Sequence, residues 1–371
     1  MLDRLEKLLE YYEGALDRDF INQKIERQKK ASRFEPLDKP CVNVWFSHPE
    51  IPGYTMDEIH ADMEKMMFNE LLGVLTHIET DGSGVPMIRA NYGVGILPSL
   101  FGANCRIVNG NMPWVDSVGI DGVKQLVKKG IPDSRNGLGQ KVFDTYAFYA
   151  DVLSKYPKCK EMIHLYQPDF QGPFDAAHLL WGADIYMDIY DEPELVHEFM
   201  DLISETYIDS MKKLKPMLND EIDGFICQWQ HLFPGHILLR NDSAVNVSPS
   251  MYEEFIKPYD EKVLKAFGGG SMHFCGRADQ WVFEMAKSEN IGGYNFGYMA
   301  NLEFGQKYLD FLKPSYYDKK RSIVGYMLEK DELASFDFNK YNTGITYNVR
   351  AKNKEDADEI LRLCQAKPNN G

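Results

Sequence analysis

The stretch Gly268-Gly-Gly-Ser-Met-His-Phe-Cys-Gly276 decides the reading of this chain. Three glycines punctuate it, residues 271–274 read as a short buried strand, and His273 and Cys275 stand two residues apart where that strand ends. Strand residues at i and i+2 share a face, so an imidazole and a thiol emerge side by side. The same pair admits two readings. In one, His273 and Cys275 are zinc ligands at a strand end. In the other, a core thiol lies beside a hydrogen-bonded histidine.

Working outward, further runs of the same kind recur at 41–46, 85–90, 162–166, 224–227, 291–296, 323–327 and 343–349. Near-continuous apolar character marks parallel strands covered on both faces. Helical patterns fill the gaps. Asp191-Glu-Pro-Glu194 carries an acidic cap with Pro in the first turn, followed by an apolar stripe at Leu195, Phe199, Leu202, Ile203 and Tyr207. Ser250-Met-Tyr-Glu253 reads as a second capping box, and Asn353 starts a last helix with Ala357, Ile360, Leu361 and Cys364 on one side. Eight strands alternating with helices predict an α/β fold, a (β/α)₈ TIM-type barrel. The barrel occupies residues 41–371 as a single domain, preceded by an N-terminal helical extension over 1–40. Residues 92–160 fit the alternation poorly and are expected to hold long excursions near an active site.

The chain has 371 residues, 44% of them hydrophobic, and a net charge of −15. That charge excludes a Lys/Arg footprint of the kind nucleic acid requires. No apolar run reaches the roughly 18 residues of a membrane span, so no membrane association is expected. The first twenty residues form an amphipathic, charged pattern without a signal-peptide core, and a cytoplasmic location is the default expectation. The six cysteines are scattered, as befits core residues or ligands rather than a disulfide framework.

A zinc site needs a third ligand. Cys227, at the end of the preceding run, and Cys364, in the stripe of the last helix, are the thiol candidates. Asp242 and Ser243 lie in a polar loop after a strand, where Asp242 acts as a general base, binds a polar substrate group, or simply holds the loop by accepting backbone N–H bonds. Near other strand ends stand Asn91, Tyr92, Gln167, Asp169, His178, Gln228, His231, Arg240, Asn295, Asn348 and Arg350. In a barrel these ends form the active-site face. Aromatic residues there, including Trp45, Trp229 and Tyr298, either line an organic ligand site or fill core and rim.

Several stretches together resemble the uroporphyrinogen decarboxylase superfamily. They are Asp242-Ser243 with Val247-Ser-Pro249 and Pro258-Tyr259, Gly172-Pro-Phe174 with Leu180-Trp-Gly182, and Ala90-Asn91 through Leu97-Pro98 to Leu100-Phe-Gly102. His273-x-Cys275-Gly276 is similar to the branch of cobalamin-dependent methyltransferases that pass a methyl group from a corrinoid to a thiol. The resemblance implies a barrel, a homodimer, zinc on His273 and Cys275, a corrinoid or cobalamin methyl donor, and a small molecule or corrinoid protein as partner. It gives Asp242, Asn91 and His178 catalytic places, and makes Ser243, Tyr92, Arg240, Asn295, Asn348 and Arg350 substrate-binding. Departures are specific. Asn91 stands where the decarboxylases carry a catalytic Asp, and their Tyr after the Gly-Pro segment falls near His178. Asn348 and Arg350 occupy the region that supplies the final zinc thiolate in the methyltransferase branch. Three functions follow as expectations: zinc-dependent methyl transfer, cofactor-free decarboxylation of a uroporphyrinogen-type acid, and non-catalytic binding of a tetrapyrrole or corrinoid.

Overall fold

In a computed structural model, which describes residues 2–299 and 302–365, the apolar runs become parallel strands. We number the parallel strands in chain order: β1 Val42–Trp45, β2 Met87–Ile88, β3 His164–Leu165, β4 Leu238–Arg240, β5 Gly270–Cys275, β6 Ile291–Gly297, β7 Ser322–Leu328 and β8 Ile345–Arg350. Six of them form one sheet in the order β1-β8-β7-β6-β5-β4, and β2 pairs with β3 separately. The protein is thus a mixed α/β fold with a six-stranded parallel sheet and helices between the strands. The ladder is not closed among the described residues. Backbone hydrogen bonds span both gaps: Ser83 N–H donates to the Val42 carbonyl (2.7 Å), and Gly172 N–H donates to that of Arg240 (2.8 Å). A Cβ at position 172 would lie 2.5 Å from the Arg240 oxygen, so only glycine allows this approach.

One strand differs from expectation. The run at 224–227 is not the fourth parallel strand; that place belongs to Leu238–Arg240. Residues Phe225–Gln228 instead pair antiparallel with His231–Pro234, and with Glu221–Ile222 on the other edge. Apolar runs of three or four residues carry no signal of strand direction. The connecting turn, Trp229-Gln230, also lacks the Asn or Gly that announces a hairpin. The hairpin packs against β5, β6 and β7. Ile226 and Phe233 from the hairpin meet Leu238 of β4 and Val324 of β7 in a small core of their own, all four fully buried. Strands from different parts of the sheet therefore meet on one face of the hairpin.

Helices cover the outer faces. The predicted stripe of helix Pro193–Leu214 is inside, with Phe199, Leu202, Ile203 and Tyr207 buried. Each such side chain contributes about 1.5–3 kcal/mol when fully buried. After β4 the helix begins two residues earlier than the box at Ser250 suggests: Ser248 Oγ accepts the Met251 N–H (3.3 Å). A π-helical turn over Tyr252–Ile256 precedes the regular helix Lys257–Phe267. Asn353 caps the last helix as expected, accepting the Asp356 N–H at 2.9 Å. In the N-terminal segment, α1 (Leu2–Ala15) packs on helix Met63–Val74, and α2 (Arg18–Ser32) packs on the hairpin, β7 and β8. Leu5, Leu9, Tyr12 and Ile21 share the main core with the sheet. Among the described residues no helix is long and apolar enough to cross a membrane.

Candidate metal centre

The carboxyl ends of β4, β5 and β6 build the site. In register, His273 lies beside Arg240 on one side and Asn295 on the other, and Cys275 lies beside Gly297. His273 Nδ1 is 2.6 Å from Asn295 Oδ1. The Asn295 amide is oriented by its own Nδ2, which donates to the Val324 carbonyl at 2.6 Å. Its oxygen therefore faces the imidazole, Nδ1 carries the ring proton, and Nε2 presents a lone pair. That lone pair points at two other ligand atoms. Asp242 Oδ1 is 3.4 Å away and Cys275 Sγ 3.6 Å away. Asp242 Oδ1 also accepts the Cys275 N–H at 2.6 Å. The three ligand atoms lie within 4.8 Å of one another, and among the described residues this is the one such grouping of His, Cys, Asp or Glu.

Burial lowers the pKa of His273, against the opposing pull of Asp242, so the ring stays neutral. Burial, then the Asp242 charge, pushes the Cys275 thiol up to about 12. Without a cation the thiol keeps its proton. A neutral imidazole, a carboxylate and a thiol converging on one point form a donor set suited to zinc, and the Asn295 amide on Nδ1 fixes the ring's tautomer and orientation. The Asp242 side chain is 40% exposed, so the centre opens to solvent.

Two further groups hold this geometry, and neither was legible in the sequence. Asp175, fully enclosed in helix Pro173–Trp181, accepts the Asp242 N–H through Oδ2 and the Ser243 N–H through Oδ1, both at 2.7 Å. Burial and the nearby Asp242 charge raise the Asp175 pKa far above the usual carboxylate range. Gly297 is the second. A Cβ there would fall 2.5 Å from Cys275 Sγ and 3.1 Å from His273 Cε1. The only sequence cue to Asp175 is its place in the first turn after Gly172-Pro173, and nothing local marks Gly297.

The remaining expected residues fall into four groups. His178 and Ser243 are brought together on the rim, with Nδ1 2.8 Å from Oγ, and burial lowers the His178 pKa. Arg240 is buried under the site: Nε lies 3.2 Å from Asp169 Oδ1, Nη1 donates to the Phe170 carbonyl (3.1 Å) and Nη2 to Gln228 Oε1 (3.1 Å). Burial alone would raise the Asp169 carboxyl, but Arg89 and Arg240 hold it below its usual value. Asn91 is tied to Glu70 (3.0 Å) and Arg89 (3.2 Å), and the Tyr92 hydroxyl to Thr145 (2.9 Å). Asn348 accepts from His231 (2.9 Å) and Asn43 (2.9 Å), and Arg350 lies over the Trp45 ring. Neither thiol expected as a third ligand joins the centre. Cys227 is buried in the antiparallel hairpin, and Cys364 ends the last helix beside Arg27, Lys39 and Val42. The grouping places Asp242 in that position instead, because β4 and not the 224–227 run adjoins β5.

Compared by sequence, the chain matches no family model and no curated protein. Compared by structure, it is similar to a methyltransferase from Methanosarcina mazei. The TM-score is 0.61 at 14% identity, over 91% of this chain and 95% of that one. The fold is that of a methyltransferase of known structure.

Proposed function

We propose that this protein is a zinc-dependent methyltransferase, passing a methyl group from a corrinoid or other donor to a thiol or similar acceptor. In this reading the eight parallel strands close into a (β/α)₈ barrel, and Asp242, His273 and Cys275 hold the metal. The single observation that carries it is the convergence of those three ligand atoms within 4.8 Å, with the unprotonated His273 nitrogen turned toward the other two. The fold shared with a solved methyltransferase supports the same reading.

Zinc bound there would make a ligated thiol a nucleophile at neutral pH by displacing its proton. The residues of the chain do the rest. Asn295 keeps the proton on Nδ1 of His273. Asp175 fixes the loop that carries Asp242, which leaves that carboxylate partly exposed on the open side. His178 and Ser243, neutral and hydrogen-bonded to each other, offer a polar edge for the acceptor, and Arg350 offers a cation further along the rim. The donor is a small molecule or a corrinoid protein.

Metal content of the purified full chain and of Cys275→Ser tests the proposal. We expect about one zinc per chain, lost in the variant, together with methylation of small thiols by methylcobalamin. Absence of zinc from both proteins after incubation with the metal overturns the reading and favours the cofactor-free decarboxylase.

A further inference from the structure

We propose that Trp229, at the tip of the inserted hairpin, is a positioning residue that holds the His273 ring in its ligating orientation. The inference rests on the zinc-centre reading above. Its first support is the backbone. Trp229 (φ 47°) and Gln230 (φ 64°) both occupy the left-handed region, where L side chains are hindered. A two-residue turn of this kind is normally built from Asn-Gly or Gly-containing pairs. Here it carries a tryptophan and a glutamine. Backbone strain of this sort persists where the surroundings over-determine it, and it clusters at functional sites. The surroundings do so here: Val85 N–H and Gln28 Nε2 both donate to the Gln230 carbonyl (3.1 and 3.0 Å), and Gln28 Oε1 accepts the Leu232 N–H (2.7 Å).

The second support is what the strained turn delivers. The indole lies 4.7 Å from the His273 ring, centroid to centroid, with the planes at 60°. The Arg240 guanidinium sits 4.9 Å over the indole, and that arginine is anchored by Asp169 and Gln228. The hydrogen bond from Nδ1 to Asn295 fixes one atom of the imidazole, and the long 3.6 Å contact of Nε2 with Cys275 Sγ does little to hold its tilt. Trp229 restricts that tilt, and Gly297 adjoins Cε1 so closely that a methyl group there would sit 3.1 Å away. The ring is confined, and Nε2 is left facing Asp242 and Cys275.

The test uses the full chain with Trp229→Ala and Trp229→Phe. Zinc affinity is measured by competition with a chromophoric chelator, and the His273 tautomer by ¹⁵N-detected NMR of the zinc-free protein. We expect the alanine variant, folded by circular dichroism, to bind zinc roughly ten- to a hundred-fold more weakly, as for loss of other outer-shell partners. Its His273 resonances should report two averaging tautomers where the wild type reports Nδ1–H alone. Phenylalanine should restore most of both. An alanine variant with wild-type affinity and a single tautomer overturns the inference and makes Trp229 a filler of space. Should the alanine variant not fold, Trp229→Leu, which keeps volume without an aromatic face, is scored by the same two criteria. If the wild type takes up no zinc, the metal-centre reading falls by itself. The tautomer then decides Trp229 alone: lost in the variant, the positioning role stands; unchanged, it is overturned.

Discussion

Two buried histidines, His231 at the start of the second hairpin strand and His273 in β5, make an instructive pair. His231 spends both ring nitrogens internally: Nε2 lies 2.9 Å from Asn348 Oδ1 and Nδ1 lies 3.1 Å from Thr346 Oγ1. Burial holds its pKa down at about 4. His273 gives Nδ1 to Asn295 and turns Nε2 toward the Asp242 carboxylate and the Cys275 thiol, with Sγ 3.6 Å away. Both lie under strand ends and both have an asparagine partner. What separates a structural histidine from a candidate ligand here is what faces the second ring nitrogen: a threonine hydroxyl and an asparagine enclose His231, whereas a carboxylate and a thiol face His273.

The largest expected contrast comes from removing each ring. His273→Ala should abolish stoichiometric zinc binding. His231→Ala should keep the zinc yet lose stability, by about 1–3 kcal/mol for the buried partners left unpaired. Calorimetry and metal analysis on the same two proteins check both. If His231→Ala loses the metal and His273→Ala retains it, the contrast is broken.

A smaller effect is expected one step out from the ligands. Asp175→Asn keeps the shape but presents only one acceptor oxygen to the Asp242 and Ser243 amides, so zinc affinity should fall by roughly ten-fold or more. Gly297→Ala should act in the same direction, because its methyl group would press on Cys275 Sγ. Chelator competition measures both, and unchanged affinity in both would show that the loop and thiol are held by other contacts.

The acid side of the stability profile sharpens the comparison further. The folded pKa of His231, about 4, lies below the ordinary imidazole value of 6.5. The unfolded chain therefore binds a proton that the native state refuses. Stability from this group is present above pH 6.5 and is lost as pH falls from there toward 4, by at most about 3 kcal/mol. His231→Gln, which does not titrate, should flatten that part of the curve of Tm against pH. A profile identical to the wild type would count against a neutral buried His231. Smallest of all, Cys364→Ser and Cys227→Ser should leave the zinc content unchanged, since neither thiol stands near the centre.

Much of the fold was legible because its signals are local. Seven of the eight parallel strands announce themselves as apolar runs, and the stripe of Phe199, Leu202, Ile203 and Tyr207 marks its helix by spacing alone. The hairpin was not legible: its turn has the residues of neither a loop nor an Asn-Gly corner, and it is held by Gln28 and Val85 from distant parts of the chain. Within the site, His273 and Cys275 share a face by the period of a strand, and Asp242 stands out as a carboxylate in a polar loop.

By itself, then, the sequence determined the alternating architecture and the adjacency of an imidazole and a thiol, because periodicity and i, i+2 geometry act within a few residues. Only the tertiary structure decided that Asp242 rather than Cys227 or Cys364 completes the grouping, that Asp175 holds its loop, and that Gly297 leaves room for the thiol. Those outcomes depend on which strands become neighbours. Parallel pairing joins segments separated by whole helices, and no local pattern records the register between them.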